Sequence, residues 1–147
     1  MSDIPTKSGG RHGRVVTARN VLAFLCLLPL AAWARDPAGI YTVECQGCHL
    51  ADGSGGLTNI PPLNNSVARF LEVPGGREYL VQVPGVALSS LSDQQVADVL
   101  NWMVTTFGPL ESARQFVPYT FAEVALLRKR PLTEISRRRA ELLSLMN

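Results

Sequence analysis

The sequence predicts a mainly α-helical fold, on the evidence of its helix-start signals, one long apolar stripe and a shortage of alternating stretches. Asp36 followed by Pro37 is typical of a helix N-terminus, because the aspartate caps free N–H groups and proline fits the first helical position. Ser92 with Gln95 three residues later is typical of a capping box that opens another helix. Few stretches alternate apolar and polar residues, so strands are not expected.

The helix that starts after Ser92 is the longest predicted element. Its apolar positions recur at helical spacing and form one core-facing stripe: Val96, Val99, Leu100, Met103 and Phe107. Gly108 and Pro109 are expected to end this helix. Upstream, residues 64–73 and 76–83 predict two short helices separated by a Pro-Gly-Gly turn.

Residues 1–34 have the pattern of a secretory signal peptide. Basic residues precede the apolar run 21–34, which ends in the small-x-small pattern Ala32, Trp33, Ala34. The run is shorter than the roughly 18 to 20 residues that span a bilayer, which favours cleavage over a retained membrane anchor. The sequence therefore predicts an exported, periplasmic protein that is cleaved after Ala34 and has no membrane span afterwards.

Removal of this segment simplifies the chemistry of the remaining chain. Cys26 and His12 leave with it, so the cysteines and histidine that remain are Cys45, Cys48 and His49. The remaining chain has 10 basic and 11 acidic side chains, so its net charge is about −1. A nucleic-acid partner is therefore not expected.

The stretch "CQGCH", residues 45–49, admits three kinds of site. A structural zinc site needs four Cys or His ligands, more than the mature chain has. A thioredoxin-like redox pair belongs to a βαβ pattern, whereas here a glycine-rich loop follows and no strand precedes. The C-x-x-C-H spacing is the pattern of covalent haem attachment, because two thiols one helical turn apart can bind one porphyrin edge beside an imidazole ligand.

The flanking sequence extends this interpretation to a family. "DPAGIYTVECQGCHLADGSGGLTNIPPLNNS" resembles the N-terminal half of class I c-type cytochromes, and "LSSLSDQQVADVLNWMVTTFG" resembles their C-terminal helix. The resemblance covers about residues 36–108. It implies a small cytochrome c-like fold in a domain at 35–110, with about four short helices around one covalent haem c.

The resemblance also implies roles for individual residues. Cys45 and Cys48 would hold the haem and His49 would be the proximal iron ligand. The carbonyl of Pro61, with Pro62 close behind, would accept the other ring hydrogen of that histidine. These prolines could instead only stiffen a turn.

The sixth iron ligand departs from the family pattern. Class I cytochromes place a methionine in the loop before the last helix, often directly before proline, but here Val83 precedes Pro84. Met103 remains as a candidate ligand, or else as a core residue against the porphyrin. Met146 lies next to the C-terminus, where a ligand would be poorly held.

Residues 111–147 form an extension that a minimal cytochrome does not need, and they predict two more helices. Thr120 and Glu123 suggest a capping box for the first, and Pro131 is expected to end it. The extension has a net charge of about +3, whereas residues 35–110 have about −4. It either packs on the core through apolar faces or docks an acidic redox partner. The apolar face comprises Val124, Leu127, Ile135 and Leu142.

Arg69 and Arg77 are the basic residues of 36–110, and either could pair with a haem propionate, although a solvated helix residue is the favoured interpretation for each. The predicted function is an exported monohaem c-type cytochrome that carries single electrons and has no catalytic residues of its own. Its redox partner would be a dehydrogenase or an oxidase, and it could be the haem subunit or acceptor of a periplasmic dehydrogenase. The alternative is a haem protein with an open iron site that binds NO or CO or reacts with peroxide.

Overall fold

The predicted all-α fold is confirmed. The computed structural model describes residues 36–56 and 60–146, and these contain eight α-helices, one 3₁₀-helix and no β-strand. The predicted signal peptide, 1–34, lies outside the described residues. The α-helices are α1 Pro37–Glu44, α2 Gln46–His49, α3 Gly76–Gln82, α4 Pro84–Ala87, α5 Asp93–Phe107, α6 Leu110–Gln115, α7 Phe121–Leu127 and α8 Ile135–Ser144, and the 3₁₀-helix is Ala68–Glu72.

The caps of α1 and α5 are those that the sequence predicts. The Asp36 side chain accepts a hydrogen bond from the Ala38 N–H at 2.9 Å. At the start of α5, the Gln95 N–H donates to Ser92 Oγ at 3.2 Å and the Ser92 N–H donates to Gln95 Oε1 at 2.9 Å. Both helix starts are therefore stabilised by side chains that lie within one turn of the helix.

Helices α1 and α5 pack against each other through an aromatic cluster. The Tyr41 ring centroid lies 5.2 Å from that of Trp102 and 5.1 Å from that of Phe107. Trp102 and Phe107 meet edge to face at 5.5 Å. Ile40 is completely buried beside this cluster. The helix that leads into the C-x-x-C-H motif is thus anchored on the longest helix of the fold.

Three local elements differ from the sequence-based prediction. The helix expected at 64–73 is a run of turns followed by the 3₁₀-helix, because Asn65 has a φ of 53° and its N–H donates to the Phe107 carbonyl at 2.8 Å. Helices α4 and α6 were not expected. Proline stands at the first position of α4 and at the N-cap of α6, so in both cases a fixed φ starts the helix.

The C-terminal helices share the core of the preceding ones. Val124 and Leu142 are completely buried in the same hydrophobic cluster as Ile40, and Leu127 packs partly buried against it. Ile135 was expected on this face but is 37% exposed. Residues 36–56 and 60–146 belong to one compact unit, and a domain boundary at residue 110 stays a prediction.

Only half of the predicted capping box of α7 forms. Thr120 Oγ1 accepts from the Glu123 N–H at 3.3 Å. The Glu123 carboxylate does not return to Thr120, because it binds Arg77 of α3, with Oε1 2.6 Å from Nε and Oε2 2.8 Å from Nη2. A bidentate ion pair with α3 therefore replaces the reciprocal cap.

Across residues 36–56 and 60–146, no helix combines the length and apolar character that a transmembrane span requires.

Candidate haem site

A cavity of about 330 Å³ lies between the C-x-x-C-H motif, helices α3 and α4, and helix α5. Cys45, Cys48 and His49 all contribute to its lining. Aliphatic side chains from the three other helices form much of the remaining wall: Leu80, Val83, Val86, Val96, Val99 and Leu100. The cavity is therefore mainly apolar and has sulfur and imidazole groups along one side, which is typical of a cofactor site.

The two cysteines lie at the start and in the middle of the short helix α2. Neither forms a disulfide; Cys45 is half-buried and Cys48 is exposed. Burial, followed by the nearby Glu44 and Cys48, raises the pKa of Cys45 to about 11. The Cys45 thiol is therefore protonated at neutral pH, and both sulfur atoms remain available for a covalent bond.

His49 ends α2 and has an unusual buried nitrogen. Among the residues described, its Nδ1 is the only buried side-chain polar atom without a hydrogen bond of ordinary geometry. Burial lowers the pKa of His49, and the backbone carbonyl of Pro61 opposes that shift. The neutral imidazole is thus the favoured form, and the hydrogen bond to the Pro61 carbonyl that the family resemblance implies stays a prediction.

A glycine-rich loop returns the chain from His49 to Pro61. The Gly55 N–H donates to the His49 carbonyl at 3.1 Å, and the Leu63 N–H donates to the Gly53 carbonyl at 2.8 Å. Gly55 has a φ of 88°, and a Cβ there would lie 2.6 Å from the Ile60 carbonyl oxygen. Glycine is required at this position, because other residues rarely adopt this φ and their Cβ would clash with the Ile60 carbonyl.

The methionines considered as iron ligands occupy different places. Met103 is 7% exposed in the middle of α5 and lines the cavity together with His49. Met146 does not line this cavity, and its backbone carbonyl accepts a 2.9 Å hydrogen bond from Arg69 Nη2. The structure therefore brings Met103, but not Met146, to the same cavity as the motif.

The two arginines considered as partners of a propionate do not line the cavity. Arg69 binds the Met146 carbonyl, and Arg77 is held by Glu123 and by the carbonyls of Val117 and Pro118. Both guanidinium groups are therefore bound to the C-terminal segment.

Arg139 of α8 lines the cavity instead, and the sequence analysis missed it. It is half-buried and near Tyr79. Burial raises the pKa of Tyr79, and the positive charge of Arg139 partly offsets that rise. No carboxylate of the described residues forms an ion pair with Arg139. The only signal in the sequence was the net positive charge of residues 111–147, which does not distinguish one arginine from the next.

Two curated proteins named cytochrome c-552, both from Thermus thermophilus, are similar to this chain. One is 36% identical over 133 residues, which cover 78% of this chain and 89% of that protein. The other is 35% identical over 116 residues, which cover 67% of this chain and 88% of that protein. The chain belongs to the c-type cytochromes. No protein-family model matches it.

As a c-type cytochrome, the protein carries covalently bound haem c and is an electron carrier that exchanges electrons with a redox partner. The observed cavity suits that cofactor. Two free thiols lie within one helical turn, a neutral imidazole has an unpartnered Nδ1 beside a proline carbonyl, and the opposite walls are apolar. Such a wall keeps water away from a macrocycle, which is one of the means by which a protein sets the reduction potential of haem.

Proposed function

We propose that the chain is a monohaem cytochrome in which Cys45 and Cys48 form the thioether bonds to haem c and His49 is the proximal iron ligand. One observation carries this proposal: the three side chains line one apolar cavity, and His49 has a buried Nδ1 without a hydrogen bond. A hydrogen bond from Nδ1 to the Pro61 carbonyl would leave Nε2 for the iron. The haem supplies one-electron Fe(III)/Fe(II) exchange.

The proposed sixth ligand is Met103. Its support is its burial in the cavity wall and the lack of a methionine in residues 83–92. A thioether ligand raises the reduction potential relative to a second imidazole, which suits a carrier of single electrons. The competing role is packing against the porphyrin edge, and it corresponds to an iron site that is open to NO, CO or peroxide.

Arg139 is the proposed counter-charge for a haem propionate. Its support is a half-buried guanidinium in the cavity wall, beside Tyr79 and without a carboxylate partner among the described residues. A propionate in this cavity would complete that missing pair. The C-terminal extension, 111–147, would then contribute directly to the site of the cytochrome domain, 35–110.

Export and partner choice complete the proposal. Residues 1–34 would be a signal peptide, cleaved near Ala34, and the mature protein would act in the periplasm with a dehydrogenase or an oxidase. The basic surface formed by α8 and the stretch before it supports an acidic partner, because Arg137 of α8 is 70% exposed and Lys129 and Arg130, which follow α7, are exposed as well. The intact mass of the purified mature protein tests the cleavage site directly.

The haem assignment is tested by substituting the cysteines in a host that attaches haem c. Loss of both thiols, in Cys45→Ala with Cys48→Ala, should leave no haem on the denatured polypeptide, whereas each single variant should retain one thioether bond. Cys26→Ser is the matched control, since this cysteine lies in the predicted signal peptide and should leave haem content unchanged. Haem that stays covalently bound in the double variant would refute the assignment.

A further inference from the structure

The guanidinium of Arg128, at the C-terminal end of α7, binds three backbone carbonyls of one segment. Nη1 donates to the Leu91 carbonyl at 2.7 Å, Nη2 to the Ser89 carbonyl at 2.7 Å, and Nε to the Ala87 carbonyl at 3.2 Å. Nη1 also pairs with Asp93 Oδ1 at 2.9 Å. The Arg128 side chain is only 14% exposed, so these bonds are largely shielded from water.

The carbonyls that Arg128 binds belong to a segment that forms part of the cavity wall. We call residues 83–92 the wall segment; Val83, Val86, Ser89 and Leu91 of this segment line the cavity. Residues 89–92 lie between α4 and α5 and are not helical. Neither the Ser89 carbonyl nor the Leu91 carbonyl accepts a hydrogen bond from a backbone N–H of the described residues. Arg128 therefore supplies hydrogen bonds that secondary structure does not provide there.

A second contact ties the residue before the wall segment to the stretch between α7 and α8. The Leu132 N–H donates to the Gln82 carbonyl at 2.9 Å, at the end of α3. Val124, one turn before Arg128 on α7, is completely buried in the core. Packing thus sets the position of Arg128, and its planar guanidinium binds several groups within residues 87–93 at once.

We propose that Arg128 is a positioning residue that holds the wall segment against the haem and so limits the access of external ligands to the iron. The inference rests on the proposed placement of haem in this cavity. A stretch whose carbonyls accept no backbone hydrogen bond, as at Ser89 and Leu91, opens at low free-energy cost unless side chains restrain it. Four charge-assisted bonds from one largely shielded guanidinium raise that cost.

The experiment compares Arg128→Gln with wild type in the haem-loaded protein. Hydrogen exchange of residues 86–92 should be faster in the variant, and imidazole should bind the oxidised iron several-fold faster. Arg128→Lys keeps the charge but loses the fork, so it should show the same changes to a smaller extent. If Arg128→Gln does not fold, the same measurements on Arg128→Lys test the inference.

Arg77→Gln is the matched control, because Arg77 makes the same kinds of bonds but to Glu123, Val117 and Pro118, which do not line the cavity. Its hydrogen exchange should increase at residues 116–120, and imidazole binding should stay at the wild-type rate. Unchanged exchange at 86–92 in both Arg128 variants, or equal imidazole rates for Arg128 and Arg77 variants, would overturn the inference. Covalent haem content is measured first in each variant, so failure of the haem assignment is distinguished from failure of the gating role.

Discussion

The hydroxyl of Tyr41 donates a 2.6 Å hydrogen bond to the carbonyl oxygen of Leu50. This bond joins α1 to the residue that directly follows His49. Leu50 has a φ of 62°, a left-handed conformation that a leucine adopts only when its surroundings hold it there. Burial, followed by Cys45 and Asp52, raises the pKa of Tyr41 to about 12, so the hydroxyl stays a donor at neutral pH. Tyr41 therefore fixes the end of the motif helix.

Tyr41→Phe should lower the free energy of unfolding by about 1–2 kcal/mol, because it leaves the Leu50 carbonyl without its partner. Denaturant unfolding of the haem-loaded protein measures this loss. Tyr119→Phe is a control that removes a comparable bond, to the Arg77 carbonyl, away from the motif. Only the Tyr41 variant should also change the haem spectrum. An unchanged unfolding midpoint for Tyr41→Phe would contradict the role assigned to the bond.

Met103→Leu tests the sixth ligand. If the thioether binds the iron, the oxidised variant should lose the weak charge-transfer band typical of methionine–iron coordination, its reduction potential should fall, and the reduced form should bind CO readily. Met146→Leu is the control and should leave the spectrum unchanged. An unaltered spectrum for Met103→Leu would assign this methionine to core packing and would favour an iron with an open site.

Arg139→Gln should lower the reduction potential of the haem. A cation near the macrocycle disfavours the more positive Fe(III) state, so its removal stabilises the oxidised form. Arg137→Gln removes the same charge from an exposed position of the same helix, where the guanidinium pairs with Glu141, and should cause a smaller shift. A spectroscopic redox titration compares the two. Equal potentials in both variants would show that Arg139 does not face a propionate, whereas Arg139→Lys should restore most of the wild-type value.

Gly55→Ala should destabilise the protein by at least about 1–2 kcal/mol, because alanine is strained at positive φ and its methyl group would press on the Ile60 carbonyl. The loop that brings Pro61 to His49 would shift in response. Gly39→Ala, in α1, is the control: its Cβ would make only an ordinary contact of 3.5 Å with Asp36 Oδ2, and stability should be kept or slightly raised. Thermal unfolding of wild type and the two variants measures these effects. Equal melting temperatures for Gly55→Ala and wild type would contradict the prediction.

The sequence predicts those parts of the fold that local interactions determine. The caps at Asp36 and Ser92 could be predicted since each depends on residues within one turn. The motif residues could be grouped because their spacing alone brings them together. By contrast, Glu123 was assigned to a local capping box but binds Arg77, which lies 46 positions away in the sequence. Long-range competition of this kind leaves no local signal.

The same limit explains the missed arginine. Arg137, Arg138 and Arg139 are consecutive, so composition cannot tell which of them faces the cavity. The rotation of α8 about its axis determines which arginine faces the cavity, and the buried Leu142 fixes that rotation. Arg69 and Arg77 lie within the cytochrome-like segment, but both are bound to C-terminal groups that only the folded chain brings near.

The Arg128 contacts also impose an order in time. Each of its bonds to a backbone carbonyl joins residues 37 to 41 positions apart, and Arg128 is the later-synthesised partner in every case. A growing chain that ends at Phe107 already contains the motif and the longest helix, yet it lacks the four bonds by which Arg128 holds residues 87–93. On the proposed role of Arg128, haem that reached the chain at this stage would meet a less restrained cavity wall than after the last helices dock.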